Sequence, residues 1–200
     1  MGRPGLVQRP PRGFGGAAQV RLDPIDHRAL SNEREDAHRA ATGRTGERGA
    51  TTDVAALARD VVAGLRVLSP TRPIEVRAPR PGVCDCAPHI VRRVIENLLG
   101  NATKHTPRDS AILSDVSAND ARVQVAVRDE GPGIPLDVRA RLFERYAASA
   151  IASGRGAHSA GLGLAFCALA VKAHGGSIRV ERGEPRGSGF VVELPTRADA

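Results

Sequence analysis

The sequence predicts one α/β domain of the α+β kind, in which helices and strands are mixed along the chain. Apolar residues recur at helical spacing in three segments, which begin near positions 54, 88 and 162. Two segments between positions 110 and 128 alternate apolar and polar residues, and a hairpin pattern closes the chain. A length of 200 residues with 41% hydrophobic content suits a single core. We therefore expect one folded unit over residues 51–196.

The first 50 residues lack a strong core pattern. Residues 1–25 are rich in Gly, Pro and Arg, which bury too little apolar surface to offset the entropy of ordering, so we expect disorder there. Residues 26–50 are helix-compatible but have only a weak apolar stripe. We interpret this segment as a remnant of a dimerising helical hairpin, which would allow a homodimer.

The elements of the folded unit follow from periodicity and from turn residues. In chain order, we predict a helix carrying Val54, Leu57, Val61, Leu65 and Leu68, a strand over 73–78, a helix from about Pro88, strands over 110–117 and 122–128, a helix over 135–145, a loose segment to 159, a helix over 162–173, and hairpin strands over 177–181 and 189–194.

The charge and aromatic content bear on the partners of the chain, and its cysteines bear on its location. The formal charge is +7, but basic residues are interleaved with 22 acidic ones, which favours a solvated Arg-rich surface. Aromatic content of 2% with no Trp disfavours single-stranded nucleic acid as a partner. Cys84, Cys86 and Cys167 form no Cys-x-x-Cys pair, so we expect reduced thiols and a cytoplasmic location. We also expect no membrane segment in this chain.

A polar stripe accompanies the apolar face of the helix near position 88. Asn97, Asn101, Lys104 and His105 fall at i, i+4, i+7 and i+8, so they share one side of the helix. Magnesium prefers oxygen ligands, and an Asn carboxamide supplies one while phosphates and waters complete the shell. We assign Asn101 as the metal ligand. Lys104 is one of two lysines in the chain, and its compact ammonium suits phosphate.

The strand over 122–128 ends in an acidic turn. Alternation places Asp129 on the same side as Val123, Val125 and Val127, so a carboxylate follows the apolar face inward. Such a carboxylate can accept a hydrogen bond from the exocyclic amine of adenine, where guanine would present a carbonyl. Gly131 and Gly133 would let the backbone approach the base closely.

A second glycine pair opens the helix over 162–173. Gly161, Leu162, Gly163 and Leu164 place flexible amides and the positive end of a helix where phosphate oxygens can bind. The sequence has neither the Gly-Lys-Ser/Thr of a P-loop nor the spacing of a dinucleotide-binding fold. Residues 147–160 are small and poorly anchored, which is typical of a lid over a nucleotide or of a plain surface loop.

Taken together, these blocks resemble the ATP-binding catalytic domain of sensor histidine kinases, within the superfamily that includes gyrase and the Hsp90-type chaperones. Residues 97–105 look like the N box, 129–133 the first glycine box, 142–146 the F box, and 161–164 the second glycine box, while Ser188 lies in a segment similar to the family's final Gly-Thr-x-Phe. The resemblance implies a two-layer sandwich of Bergerat type, with a mixed sheet covered on one face by helices. It also implies a nucleotide-binding set of Asn97, Asn101, Lys104, His105, Asp129, Gly131, Gly133, Ile134, Phe143, Tyr146, Gly161, Leu162, Gly163, Leu164 and Ser188.

The resemblance also implies an activity. We expect ATP with Mg²⁺ to be bound and the γ-phosphate to be transferred to a histidine, with Asn101 and Lys104 as the catalytic residues. Neither His27 nor His38 fits the family's acceptor motif, so the acceptor would lie on another segment or chain. The implied partners are a histidine-containing dimerisation domain and a response regulator receiver domain.

Two departures leave other functions open. Related hydrolases use a Glu four residues before the magnesium Asn, where this chain has Asn97, so we expect slow hydrolysis, with Glu96 a weak base candidate. Ser159-Ala160 stands where a further Gly is usual. The alternatives are a nucleotide-sensing interaction module without catalysis, or a serine kinase of the anti-sigma type.

Overall fold

The computed structural model describes residues 50–144, 162–183 and 186–196. Within those ranges the elements are β1 (Ala50–Asp53), α1 (Val54–Leu68), β2 (Ile74–Arg77), β3 (Val83–Cys86), α2 (Pro88–His105), β4 (Ile112–Ala118), β5 (Arg122–Asp129), α3 (Leu136–Arg139), α4 (Gly163–Ala173), β6 (Ser177–Arg182) and β7 (Ser188–Pro195). The predictions made for residues 1–49 and for 145–161, including the disordered start and the lid, lie outside the described residues.

Five strands form a mixed sheet in the order β2-β4-β5-β7-β6. Strand β2 runs parallel to β4, and the other neighbours are antiparallel. One face of the sheet is apolar and contacts α1, α2 and α4. The opposite face carries charged side chains, including an Arg179–Glu193 ion pair at 2.6 Å. The predicted fold class, a mixed sheet with helices on one face, is therefore confirmed.

The helix that carries the polar stripe begins at Pro88, as its sequence predicts, and ends at His105. Pro88 occupies the first turn, where its missing N–H leaves no helical bond unmade, and Thr106 is the C-cap. The apolar face of α2 is buried in the core, with Val94, Ile95 and Leu98 each at most 3% exposed. The polar stripe of Asn97, Asn101, Lys104 and His105 lies outside this buried face and can contact other parts of the protein or a ligand.

Two strands that the sequence analysis did not predict form a small separate sheet. Strands β1 and β3 pair antiparallel, with Ala50 opposite Cys86, so Ala50 begins a strand rather than ending a remnant helix. Strand β2 is equally short, but its Ile and Val alternate with charged residues, whereas β1 consists of small and polar residues and β3 alternates only cysteine around Asp85. Asp53 ends β1 and caps α1, because its Oδ1 accepts from the Ala55 amide at 2.9 Å and the Gly82 amide at 3.2 Å.

The predicted helix over 135–145 is wrong in length. Helix α3 covers only Leu136–Arg139, and residues 140–144 continue as turns. Leu136 is 80% exposed while Leu142 is 7% exposed, so the apolar residues do not form one helical face. The turns carry Leu142 and Phe143 back to the core.

Candidate functional site

One end of the polar stripe on α2 contacts the start of α4. A Cβ atom added at Gly163 would lie 2.9 Å from the Asn97 Oδ1 atom, so a larger residue there would displace the carboxamide. The Asn97 Nδ2 group is buried and has no hydrogen-bond partner among the described residues. A buried donor without a partner is unfavourable, so this position suits a ligand that brings an acceptor.

The other end of the stripe contacts the loop that follows β5. A Cβ atom added at Gly131 would lie 2.7 Å from the Asp129 Oδ1 atom, 3.1 Å from the His105 carbonyl oxygen and 3.5 Å from the Thr106 Oγ1 atom. Gly131 is buried, so no side chain fits there. The end of β5, the glycine turn and the C-terminal end of α2 therefore converge at one place.

Asn101 and Lys104 lie between these two contacts on the same helical stripe. Asn101 is half-buried, and Lys104 is exposed. Asn97 and His105 are eight residues apart, which corresponds to roughly 12 Å along a helix axis. The helix thus places two carboxamides, an ammonium and an imidazole in a row, with glycine turns at both ends.

Asp129 has the inward orientation that strand alternation predicts. It pairs with Ser188 across β5 and β7, and Ser188 is only 4% exposed. The Asp129 Oδ1 atom accepts from the Gly131 amide at 2.8 Å, and a carboxylate has further acceptor capacity beyond one such bond. Burial raises the pKa of Asp129, although backbone hydrogen bonds from Gly131 and Ser188 act in the opposite direction.

His105 and Thr106 complete this end of the site. His105 is exposed as a whole residue, but partial desolvation, with the Lys104 ammonium, lowers the pKa of His105. Thr106 is 6% exposed, and its Oγ1 atom makes no hydrogen bond of ordinary geometry among the described residues. It lies near enough to Asp129 to have a small lowering effect on the pKa of that carboxyl.

The glycine turn after Asp129 also contacts the hairpin between β6 and β7. Gly133 has φ = 77°, in the left-handed region that favours glycine, and a Cβ added there would lie 3.2 Å from the Gly187 carbonyl oxygen. Gly187 directly precedes Ser188. The turn and the hairpin therefore support each other beside Asp129.

The remaining predicted site residues fall into three groups. Ile134 and Phe143 are half-buried and pack against the core, and Phe143 makes an edge-to-face contact with Phe190 at 6.5 Å between ring centroids. Leu164 belongs to the core, and Leu162 precedes α4 in a half-buried position. Tyr146 and Gly161 lie outside the described residues.

Sequence reasoning missed three buried polar residues near the site. Thr106 follows His105 directly and could have been found as the residue that ends the stripe. Ser114 is fully buried on β4, and its Oγ atom has no hydrogen-bond partner in the described part of the chain. Arg72 is 7% exposed, and its Nη2 atom donates to the Thr106 carbonyl oxygen at 3.1 Å. Nothing in the loop sequence around Arg72 indicates that burial.

The sequence matches one family model, described as "Histidine kinase-, DNA gyrase B-, and HSP90-like ATPase", over residues 86–198. A probable sensor histidine kinase of Mycobacterium tuberculosis, TcrY, is 36% identical over 158 residues, which are 78% of this chain and 33% of TcrY. The adaptive-response sensory kinase SasA of Trichormus variabilis is 32% identical over 72% of this chain and 36% of its own length. The chain thus spans about a third of the length of these relatives.

Solved structures show the same fold. The mycobacterial sensor histidine kinase MprB superposes with a TM-score of 0.65 at 25% identity, covering 76% of this chain and 99% of that one. Full-length ShkA, whose structure contains AMPPNP, superposes with a TM-score of 0.66 at 29% identity, covering 86% of this chain and 36% of ShkA. The similarity to MprB spans nearly all of the compared MprB chain.

Proposed function

Because this chain belongs to the family of histidine kinase-, DNA gyrase B- and HSP90-like ATPases, we propose that it binds ATP with Mg²⁺ and delivers the γ-phosphate to a histidine on another segment or chain. The observation that carries the proposal is the contact of the α2 stripe with two glycine turns, through Gly163 at one end and Gly131 at the other. Such a row can bind a purine at one end and its phosphates at the other.

The base binds at the Asp129 end. Asp129 accepts a hydrogen bond from the exocyclic amine of adenine, while its Oδ1 atom keeps the Gly131 amide at 2.8 Å. Guanine would oppose its carbonyl to the same carboxylate, which is unfavourable. A Cβ at Gly131 would collide with the Asp129 carboxylate, so a glycine at this position leaves the carboxylate free to contact the base. Asp129 therefore selects adenine.

The phosphates bind at the Asn97 end. The buried Asn97 Nδ2 group needs an acceptor, and phosphate oxygens provide one. The first amides of α4 lie beside this group, because Gly163 at the start of this 11-residue helix lies against Asn97. Amides at a helix N-terminus are suited to bind phosphate oxygens. Lys104 is exposed and adds an ammonium to neutralise phosphate charge.

The donor set fits magnesium held together with phosphates. Among the described residues there is no cluster of three His, Cys, Asp or Glu side chains that could bind a metal by itself. Asn101 presents a carboxamide oxygen between Asn97 and Lys104, and oxygen is the ligand type that Mg²⁺ takes. Magnesium, when bound, neutralises charge on the transferring phosphoryl group. The chain's own residues position the reactants.

Hydrolysis should be slow. An attacking water would need a general base, and Glu96, the nearest carboxylate to the stripe in sequence, is exposed and rotated away from Asn97 on the helix. Transfer to a histidine of a dimerisation domain, and then to a receiver domain, is the route we propose. Cys84, Cys86 and Cys167 are buried and none of them forms a disulfide, which agrees with a reducing compartment, and we propose the cytoplasm. No helix in the described ranges is both long and apolar enough to cross a bilayer.

The test is transfer of label from γ-labelled ATP in the presence of Mg²⁺. The chain is incubated alone and then with a supplied histidine-containing dimerisation domain, and phosphohistidine is identified by its lability in acid and stability in base. Label on the supplied histidine, lost in the Asn101→Ala variant, is the expected result. Binding without transfer would support the interaction module, and acid-stable label on serine would support the anti-sigma type of kinase.

A further inference from the structure

Arg72 is a buried arginine without a carboxylate partner among the described residues. It lies in the loop between α1 and β2 and is 7% exposed. Its Nη2 atom donates to the Thr106 carbonyl oxygen at 3.1 Å, and its Nη1 atom has no partner in that part of the chain. Burying a guanidinium without a paired anion is unfavourable, so a compensating interaction is needed.

The compensation comes from the end of α2. Thr106 is the C-cap of that helix, and a helix C-terminus carries a partial negative charge on its unpaired carbonyls. The backbone around Arg72 is fixed on both sides. Its amide donates to the Ser69 carbonyl at 3.2 Å, and the Pro73 carbonyl accepts from the Ile112 amide at 2.9 Å. Arg72 therefore anchors the end of α2 to the edge of the main sheet.

The anchored residue belongs to the base end of the site. The Thr106 Oγ1 atom lies 3.5 Å from the position of a Cβ at Gly131, and the Asp129 Oδ1 atom lies 2.7 Å from the same position. The hydroxyl is buried and makes no protein hydrogen bond of ordinary geometry among the described residues. Two polar groups thus border one small space that no side chain fills.

We propose that Arg72 is a positioning residue for adenine recognition. Through the Thr106 carbonyl it holds the last turn of α2 in place, so that the Thr106 hydroxyl and the Asp129 carboxylate meet the base together. This inference rests on the proposed function and names a determinant of its base selectivity. A purely structural arginine would influence all nucleotides alike, because it would not act on the base end alone.

The experiment compares two nucleotides. Affinities for ATP and for purine riboside triphosphate, which lacks the exocyclic amine, are measured with Mg²⁺ for the wild type and for Arg72→Met. We expect the variant to bind ATP about tenfold more weakly, the change that one hydrogen bond supports, and to bind the amine-free nucleotide as the wild type does. Equal losses for the two nucleotides, or no loss for either, would overturn the inference.

Two further variants sharpen the result. Arg66→Met is the control, because the Arg66 Nε atom also donates to a backbone carbonyl, but to that of Ile74 in β2 at 3.0 Å rather than to one at the end of α2. It should leave the ratio of the two affinities unchanged, and a shift as large as that of Arg72→Met would overturn the inference. Arg72→Lys keeps a buried cation that can donate to the Thr106 carbonyl, so it should recover part of the selectivity.

Thermal unfolding of each variant distinguishes a loss of affinity from a failure to fold. If Arg72→Met does not fold, Arg72→Lys decides in its place: a ratio of affinities below that of the wild type supports the inference, and an unchanged ratio overturns it. A wild-type chain that binds neither nucleotide refutes the proposed function itself. A wild-type chain that binds ATP, together with Arg72 variants whose ratio of the two affinities equals that of the wild type, refutes only the role of Arg72.

Discussion

The substitution Asp129→Asn replaces one carboxylate oxygen by an NH₂ group and should weaken ATP binding without lowering stability. The Asp129 Oδ1 atom already accepts from the Gly131 amide at 2.8 Å, so an asparagine there would keep its single carbonyl oxygen on that amide. Its NH₂ group would then face the adenine amine, donor against donor. Losing a hydrogen bond to a charged group costs about 1.5–3 kcal/mol, which corresponds to about 10- to 150-fold in affinity.

The assay is calorimetric titration of ATP with Mg²⁺ near neutral pH. The wild-type affinity should also decline as the pH falls through the raised pKa of Asp129, because the Oδ1 atom is taken by the Gly131 amide and the other oxygen, once protonated, is a poor acceptor for the adenine amine. The Asn variant should show no such pH dependence in that range. An unchanged affinity in a folded variant would refute the assignment of Asp129 to the base.

The same substitution should stabilise the empty domain at neutral pH. The pKa of Asp129 is raised in the folded state, mainly by burial, so ionisation favours the unfolded chain. The stability linked to this carboxyl is present below its ordinary pKa and is lost as the pH rises through the folded value. An amide has no such loss. A lower unfolding midpoint for Asp129→Asn at neutral pH would contradict this account of the electrostatics.

Three other substitutions test the phosphate end and the fold. Gly163→Ala would place a methyl group 2.9 Å from the Asn97 oxygen, so ATP affinity should fall without loss of stability. The control Gly100→Ala, which would meet nothing within 4 Å, should keep ATP affinity and stabilise α2 by up to about 1 kcal/mol. Asn101→Ala should weaken binding about tenfold with Mg²⁺ but not with a chelator, as titration would show. Asp53→Ala removes the cap of α1 and should lower the free energy of unfolding in denaturant by about 1–2 kcal/mol; a smaller change would contradict the capping role.

Local periodicity accounts for the parts of the fold that could be predicted. The apolar and polar stripes of α2, the alternation in β5 and the glycines that end α4 each depend on residues within one element. Strands β1 and β3 were missed because they lack the alternation of branched apolar and charged residues that marks β2. The length of α3 was overestimated, because Leu136 and Leu142 were both assigned to one helix, although Leu136 is exposed and Leu142 is buried.

The sequence by itself determined which residues lie together on one helix face or strand side, because the 3.6-residue and two-residue repeats are properties of the local backbone. Only the tertiary structure decided which faces meet. Gly163 lies against Asn97, the end of α2 lies against Gly131, and Arg72 is buried against Thr106. These contacts join residues from 25 to 66 positions apart in the chain. Packing of the whole core sets them, because no local repeat extends over such distances.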